Sequence, residues 1–219
     1  MSLPTTEFLF FKASDAFKAD PEGTTKGVFD IVLKKAGSQS PAFVGAQIDE
    51  SETRKAEGLT YNLGYVFLHW DTWQHHQDII EAPDYPNVLN ALVPAVAGGD
   101  PAKAGATMYH LENWNSSPQP ALKDSKTTEV LIIELKAPEH RARVEEILQA
   151  LSDGTKGLLV FSKAKEAPET YVVVAGWDSP QHHWDTIKAP EIDAALKELY
   201  SLAPKQNGHI FHTELKQVS

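Results

Sequence analysis

Histidine is the side chain whose ionisation lies closest to neutral pH, and His76 and His183 of this chain have matching sequence surroundings. His76 precedes Ile79 and Pro83 at spacings of three and seven residues, which places it on the apolar face of a short helix. An imidazole on such a face can take a proton from a bound phenol or enol. Both histidines are therefore predicted catalytic bases. The competing interpretation is a core histidine bonded to a backbone carbonyl.

A second pair of histidines lies in sequence typical of strands. His110 and His212 are each followed two residues later by a glutamate, Glu112 or Glu214. Residues two apart on a strand share one face, so each histidine is predicted to act with its glutamate as an acid–base pair. Ligation of a metal and a plain polar strand end are the alternatives. The nearest third ligand, His69, is not repeated with the others, so no metal site is predicted.

Aromatic side chains accompany both pairs of histidines. Aromatic rings around a pocket can stack on a planar substrate, and the competing interpretation is that these rings belong to the core. The predicted substrate-binding residues are Trp70, Trp177, Tyr65, His69, Tyr109, Trp73 and Trp184.

These residues lie in a duplicated sequence. The 14 residues from Trp70 to Pro83 match those from Trp177 to Pro190 at 9 positions, with a constant offset of 177 − 70 = 107. Internal repetition of this kind predicts two copies of one structural unit. We place a first domain at residues 1–115, a polar, proline-bearing linker at 116–127 and a second domain at 128–219.

Each copy is predicted to fold as β-α-β-β-α-β, the ferredoxin-like arrangement of an α+β protein. Thr72 and Ser179 are suitable helix N-caps, and Pro83 and Pro190 are expected to interrupt the helices that follow. The strands, such as Tyr65–Leu68, are apolar on both faces, as in strands buried on both sides. The two sheets are therefore predicted to pair as an intramolecular pseudo-dimer that forms a barrel.

Composition narrows the classes of function. The chain has 219 residues, no cysteine and a net charge of −10. Disulfides, thiolate nucleophiles and cysteine-ligated metals are excluded, and an acidic chain without a basic cluster is a poor binder of nucleic acid. Its apolar runs are of strand length and the N-terminus does not resemble a secretory signal. We expect a cytoplasmic protein without nucleic-acid or membrane partners.

The sequence resembles a known superfamily. The repeated β-α-β-β-α-β pattern, the Trp-Asp-Thr/Ser strand ends, the histidine-bearing short helices and the Ala-Pro breaks are similar to those of dimeric α+β barrel proteins. The pattern is most like the antibiotic biosynthesis monooxygenase domain, followed by the stress-responsive A/B barrel proteins. The resemblance implies a pocket for a small apolar or aromatic ligand between the helices and the sheet of each half. The polyketide cyclases of the superfamily place a histidine where this chain has Ala82 and Ala189, so their mechanism is not transferred.

Three functions stay open on the sequence. The first is a cofactor-independent monooxygenase acting on an aromatic or polyketide-like compound. The second is a non-catalytic, stress-responsive or ligand-binding barrel. The third is a haem-binding or haem-degrading protein, since an inward-facing helical histidine can serve as an axial ligand. The prediction is for no cofactor, with haem as the alternative, and further self-association of chains stays open.

Overall fold

The computed structural model describes residues 4–48 and 62–219, and the side chains of 206–209 are not described. The chain forms two compact units, Met1–Glu112 with Glu214–Ser219 and Asn113–Thr213. The predicted domains differ from these units at two places. Residues 113–115 and the linker belong to the second unit, and the last six residues belong to the first.

The first unit contains a five-stranded antiparallel sheet in the order β4-β1-β3-β2-β9. Its strands are β1 (Thr5–Lys12), β2 (Ser38–Ala46), β3 (Leu63–Trp70), β4 (Thr107–Leu111) and β9 (Lys216–Val218). Its helices are α1 (Asp15–Ala19), α2 (Pro21–Val32), α3 (Trp73–Ile80) and α4 (Tyr85–Leu92), with short 3-10 turns at Val93–Ala95 and Ala97–Gly99.

The second unit repeats this plan with four antiparallel strands in the order β6-β7-β5-β8. Its strands are β5 (Thr127–Glu134), β6 (Leu159–Lys163), β7 (Thr170–Trp177) and β8 (Lys205–Thr213). Its helices are α5 (Arg141–Gly154), α6 (Pro180–Thr186) and α7 (Pro190–Leu202), with a 3-10 turn at Pro138–His140 and a π-helical turn at Pro120–Asp124. The predicted α+β class and the repeated β-α-β-β-α-β order are confirmed.

The fifth strand of the first sheet is a feature that the sequence did not predict. β9 pairs antiparallel with β2, and Val218 lies opposite Ala42. Without β9, β2 would be an edge strand with a row of unpaired N–H and C=O groups. The last residues of the chain therefore complete the first sheet.

The helix signals of the repeat are confirmed. Thr72 Oγ1 accepts a hydrogen bond from the His75 amide at 3.3 Å, and Ser179 Oγ accepts one from the His182 amide at 3.1 Å. Each short helix then ends before the Ala-Pro break, and a second helix begins at Tyr85 in the first unit and at Pro190 in the second. The caps fix where α3 and α6 begin, and so fix the position of the histidines on them.

Loss of a cap should therefore cost stability. We expect Ser179→Ala to lower the free energy of unfolding by about 1 kcal/mol, because an N-cap hydroxyl satisfies an otherwise unpaired helical N–H. Urea unfolding of the purified variant measures this change. Ser201→Ala is the matched control, since the Ser201 hydroxyl donates to the Glu198 carbonyl inside a helix and caps nothing. Equal losses in the two variants would contradict the assignment of the cap.

Both faces of the first sheet are buried, as predicted. On the helix side, Val66, Leu68 and Trp70 join the core with α2 and α4. On the other side, Phe8 and Phe67 are fully buried and their ring centroids lie 4.7 Å apart. The pairing of the two sheets into a barrel stays a prediction.

Candidate functional site

Four side chains from separate elements of the first unit meet in a buried network. Trp70 Nε1 donates a hydrogen bond to Glu7 Oε2 at 2.9 Å, and His76 Nε2 lies 3.4 Å from the same oxygen. On its other side, His76 Nδ1 lies 2.6 Å from His110 Nε2. We call this set the Glu–Trp–His–His network.

The sheet register explains why these residues meet. Glu7 on β1 lies directly opposite His110 on β4, and Trp70 at the end of β3 pairs with Thr5, two residues before Glu7. Residues two apart on a strand face the same side, so the carboxylate, the indole and one imidazole all face the helices. The capped helix α3 then places His76 above them.

The second unit contains the same network with nearly the same distances. Trp177 Nε1 donates to Glu129 Oε2 at 2.8 Å, and His183 Nε2 lies 3.5 Å from that oxygen. His183 Nδ1 lies 2.8 Å from His212 Nε2. Glu129 again lies opposite the strand histidine in the register. The two units therefore share the same set of buried polar contacts as well as the same order of strands and helices.

Tryptophans hold each imidazole in place. The Trp70 and His76 rings stack with centroids 5.1 Å apart, and Trp177 and His183 stack at 4.9 Å. Stacking on a large aromatic ring therefore fixes the orientation of the helix histidine.

The donor and acceptor roles allow the network to hold an extra proton. Because an indole N–H can only donate, Glu7 must accept from Trp70. A carboxylate here also favours an N–H at His76 Nε2, and the two imidazoles then share one proton between His76 Nδ1 and His110 Nε2. Adding a proton to this pair creates an imidazolium beside a carboxylate, so the buried charge is compensated. The carboxylate can therefore compensate a positive charge on the imidazole pair.

A cavity lies beside the network in each unit. The first has a volume of about 270 Å³ and is lined by apolar residues of β1, β3, α2 and α4, with Glu7, Trp70 and His76 on its wall. The second has a volume of about 360 Å³, with Glu129 and His183 in the corresponding places. Both volumes are near the lower end of the range for small-molecule sites. Helices and sheet therefore enclose a mainly apolar cavity in each unit, with a carboxylate and an imidazole on its wall.

The predicted catalytic residues divide into two groups. His76 and His183 line the cavities, whereas His110 and His212 lie behind them and touch them through the imidazole–imidazole contacts. The strand histidines would therefore act through the helix histidines. Their assignment as catalytic stays a prediction.

The predicted glutamate partners require a correction. Glu112 lies just past the end of β4 and is only partly buried, and Glu214 is exposed beyond β8. The carboxylates that join the histidines are Glu7 and Glu129 instead. Sequence reasoning missed Glu7 and Glu129, although each directly precedes an apolar run in the matching part of its unit.

Part of the predicted substrate-binding set also lies elsewhere. Trp70 and Trp177 line the cavities, but Trp73 and Trp184 pack edge-on against His110 and His212 instead. Among the described residues, the remaining three do not line either cavity: Tyr65, His69 and Tyr109. Tyr65 and His69 alternate along β3 with cavity residues, and Tyr109 packs against Phe10 on that other face.

His69 has a different environment from the network histidines. Its Nδ1 lies 3.1 Å from Thr6 Oγ1, and its ring meets Phe43 edge-on. Burial lowers the pKa of His69 from the ordinary 6.5 to about 4, because the charged form loses hydration. His69 is therefore neutral near pH 7.

The network does not fit the haem alternative. Both ring nitrogens of His76 face side chains, His110 and Glu7, and His183 is engaged in the same way. An axial bond to iron would require one of these contacts to stay broken for as long as the haem is bound. Within residues 4–48 and 62–219, no group of three or more His, Asp or Glu side chains is arranged to hold a metal ion.

Solved structures share this architecture. A candidate monooxygenase from Fusobacterium nucleatum subsp. nucleatum ATCC 25586 is 7% identical, with a TM-score of 0.62 over 100% of this chain and 94% of that one. An anthrone oxidase-like protein is 15% identical, with a TM-score of 0.63 over 100% and 92%. A mutant chlorite dismutase from Candidatus Nitrospira defluvii is 10% identical, with a TM-score of 0.51 over 99% and 92%.

At these identities the likeness defines the fold. The likeness extends over nearly the whole chain and supports the predicted fold. No protein-family model and no curated protein matches the chain. In the described part of the chain, every helix is too short or too polar to cross a membrane.

Proposed function

We propose that the chain is an enzyme whose cavities bind a small aromatic or polyketide-like compound and oxidise it without a cofactor. The observation that carries this proposal is the recurrence of the Glu–Trp–His–His network beside an apolar cavity in both units. A histidine that only fills the core would need one hydrogen-bond partner. His76 and His183 each have two polar partners and also line a cavity. The monooxygenase and anthrone oxidase-like names of proteins with this fold agree with the proposal.

The chemistry requires a proton acceptor and molecular oxygen as the oxidant. The longer contact of each helix histidine, between Nε2 and Glu7 at 3.4 Å or Glu129 at 3.5 Å, opens when the substrate binds. In the tautomer with its N–H on Nδ1, His76 or His183 then uses Nε2 to remove a proton from a CH₂ group that aromatic rings or a carbonyl make acidic, and the carbanion keeps the electron pair. Oxygen takes these electrons and forms a C–O bond, and the stored proton returns to the peroxide. Loss of water then leaves a ketone, so that R₂CH₂ and O₂ give R₂C=O and H₂O. An apolar cavity suits this reaction because it holds the flat substrate away from water.

Within this scheme, each residue has a separate role. Glu7 and Glu129 compensate the positive charge of the imidazolium, and the stacked tryptophans fix the orientation of its ring. His110 and His212 lie on the far side and accept or return the shared proton. General-base catalysis of this kind contributes about 10²- to 10⁴-fold to a rate.

A ligand-binding barrel without catalysis is the second candidate. It is favoured by the burial of His76 and His183, which are 4% and 2% exposed, because a buried network also stabilises a fold. This candidate predicts binding without turnover, and intact binding after loss of either histidine.

Aerobic oxidation of anthrone, with oxygen uptake measured beside quinone absorbance, separates the two candidates. We expect His76→Ala and His183→Ala each to remove the turnover of one unit, and the double variant to lose about 10²-fold or more. The matched control is His182→Ala, a neighbouring exposed histidine on α6. Undiminished turnover in the double variant would end the proposal, and binding of anthrone without any turnover would favour the second candidate.

A further inference from the structure

Each cavity also contains one tyrosine that the scheme above does not use. Tyr85 in the first turn of α4 lines the first cavity, and Tyr200 in the last turns of α7 lines the second. Tyr171, in contrast, has its hydroxyl bonded to Glu145 at 2.6 Å and to Arg141 at 3.2 Å. Among the described residues, neither cavity tyrosine has a hydrogen-bond partner for its hydroxyl. These two hydroxyls can therefore form a hydrogen bond with a ligand in the cavity.

The electrostatic surroundings keep both hydroxyls protonated. Burial raises the pKa of Tyr85, and the negative charge of Glu7 raises it further. Burial and the charge of Glu129 likewise raise the pKa of Tyr200. A neutral phenol is a hydrogen-bond donor. Each hydroxyl therefore lies within the electrostatic influence of the network and can donate to a neighbouring oxygen.

The two tyrosines do not occupy equivalent places in the duplicated sequence. At the offset of 107, Ile192 corresponds to Tyr85 and Val93 corresponds to Tyr200. Positions 85 and 93 are eight residues apart, which is about 12 Å along a helix. Simple inheritance of a core tyrosine by both copies does not explain this pattern. Each unit therefore has one cavity tyrosine near its buried glutamate. The tyrosine lies at the start of the helix in the first unit and near the end of the corresponding helix in the second.

We infer that Tyr85 and Tyr200 each donate a hydrogen bond to an oxygen of the molecule bound in their cavity. The ligand is then a keto- or hydroxy-substituted aromatic compound, because a plain hydrocarbon offers no acceptor. This inference rests on the proposed function in requiring that both cavities bind a small molecule. Because the donors come from opposite helix ends, the two cavities hold the ligand oxygen in different orientations.

A pair of probes that differ in one oxygen tests this inference. 9-Fluorenone carries a ketone and fluorene lacks it, and quenching of tryptophan fluorescence with calorimetry gives the number of sites and the affinities. We expect Tyr85→Phe to weaken fluorenone binding at one of two sites by about 5- to 10-fold, the value of one hydrogen bond. Tyr200→Phe should weaken the other site, and fluorene binding should not change in either variant.

Tyr109→Phe is the matched control, since Tyr109 packs against Phe10 away from the cavity. Unchanged fluorenone affinity in both Tyr85→Phe and Tyr200→Phe, with two sites still occupied, overturns the inference and leaves the proposed function standing. Equal weakening of fluorenone and fluorene also overturns it, because a lost hydrogen bond cannot affect a hydrocarbon. If the native protein binds neither probe, both the inference and the proposed function fail.

Discussion

Replacing Trp70 with alanine is expected to lower the free energy of unfolding of the first unit by about 3–5 kcal/mol. The Trp70 side chain is 1% exposed, stacks on His76 and donates to Glu7. Alanine leaves a large cavity in the core and removes a hydrogen-bond donor from a buried carboxylate. Both effects act in the same direction, so the cost should lie near the upper end of this range.

Trp70→Phe separates the two contributions. Phenylalanine retains most of the packing but has no N–H, so its cost should be about 1–3 kcal/mol, as for an unsatisfied buried group. Urea unfolding followed by circular dichroism measures both variants. Trp177→Ala is the counterpart in the second unit and should cost less, because Trp177 is only partly buried. A loss below about 1 kcal/mol in Trp70→Ala would show that the indole does not hold the network together.

The features that could be predicted from the sequence are those that depend on neighbouring residues. The bounds of β3 and β7, Leu63–Trp70 and Thr170–Trp177, follow from continuous apolar runs that end at Trp-Asp. The caps at Thr72 and Ser179 follow from their position before an amphipathic helix. Such signals depend on residues within one turn or one strand, so they can be recognised from the sequence alone.

The Glu–Trp–His–His network could not be predicted in this way, because it depends on contacts between residues that are far apart in the sequence. A glutamate before an apolar run is typical of a strand boundary, and only the register with β4 brings Glu7 to His110. The three residues of β9 are likewise too few to give a periodic pattern. The alternation of side chains along β3 already places Tyr65 and His69 on the face opposite to Trp70.

A fall in pH from 7.5 to 5 is expected to lower the free energy of unfolding by about 2 kcal/mol through His69 alone. Burial holds the pKa of His69 near 4 in the folded protein, against 6.5 for an ordinary histidine. Between these two values the unfolded chain binds more protons than the folded chain, so stability rises with pH across that interval. The loss is complete only below pH 4, where both forms are protonated.

Urea unfolding of the native protein and of His69→Phe at the two pH values isolates this effect. Phenylalanine cannot titrate, and other ionisable groups contribute equally to both proteins. The native protein should therefore lose about 2 kcal/mol more than the variant between pH 7.5 and 5. An equal pH dependence in the two proteins would show that His69 is hydrated enough to titrate normally.

The same histidine should make the two units differ in their response to acid. Gly176 takes the place of His69 in the second unit, and a side chain there would collide with Ser125 beside the Pro120–Asp124 turn. Because packing excludes a histidine at position 176, β7 has no titrating side chain where β3 has His69. Hydrogen exchange measured at pH 5 should therefore increase in β1 and β3 more than in β5 and β7, and His69→Phe should reduce this difference.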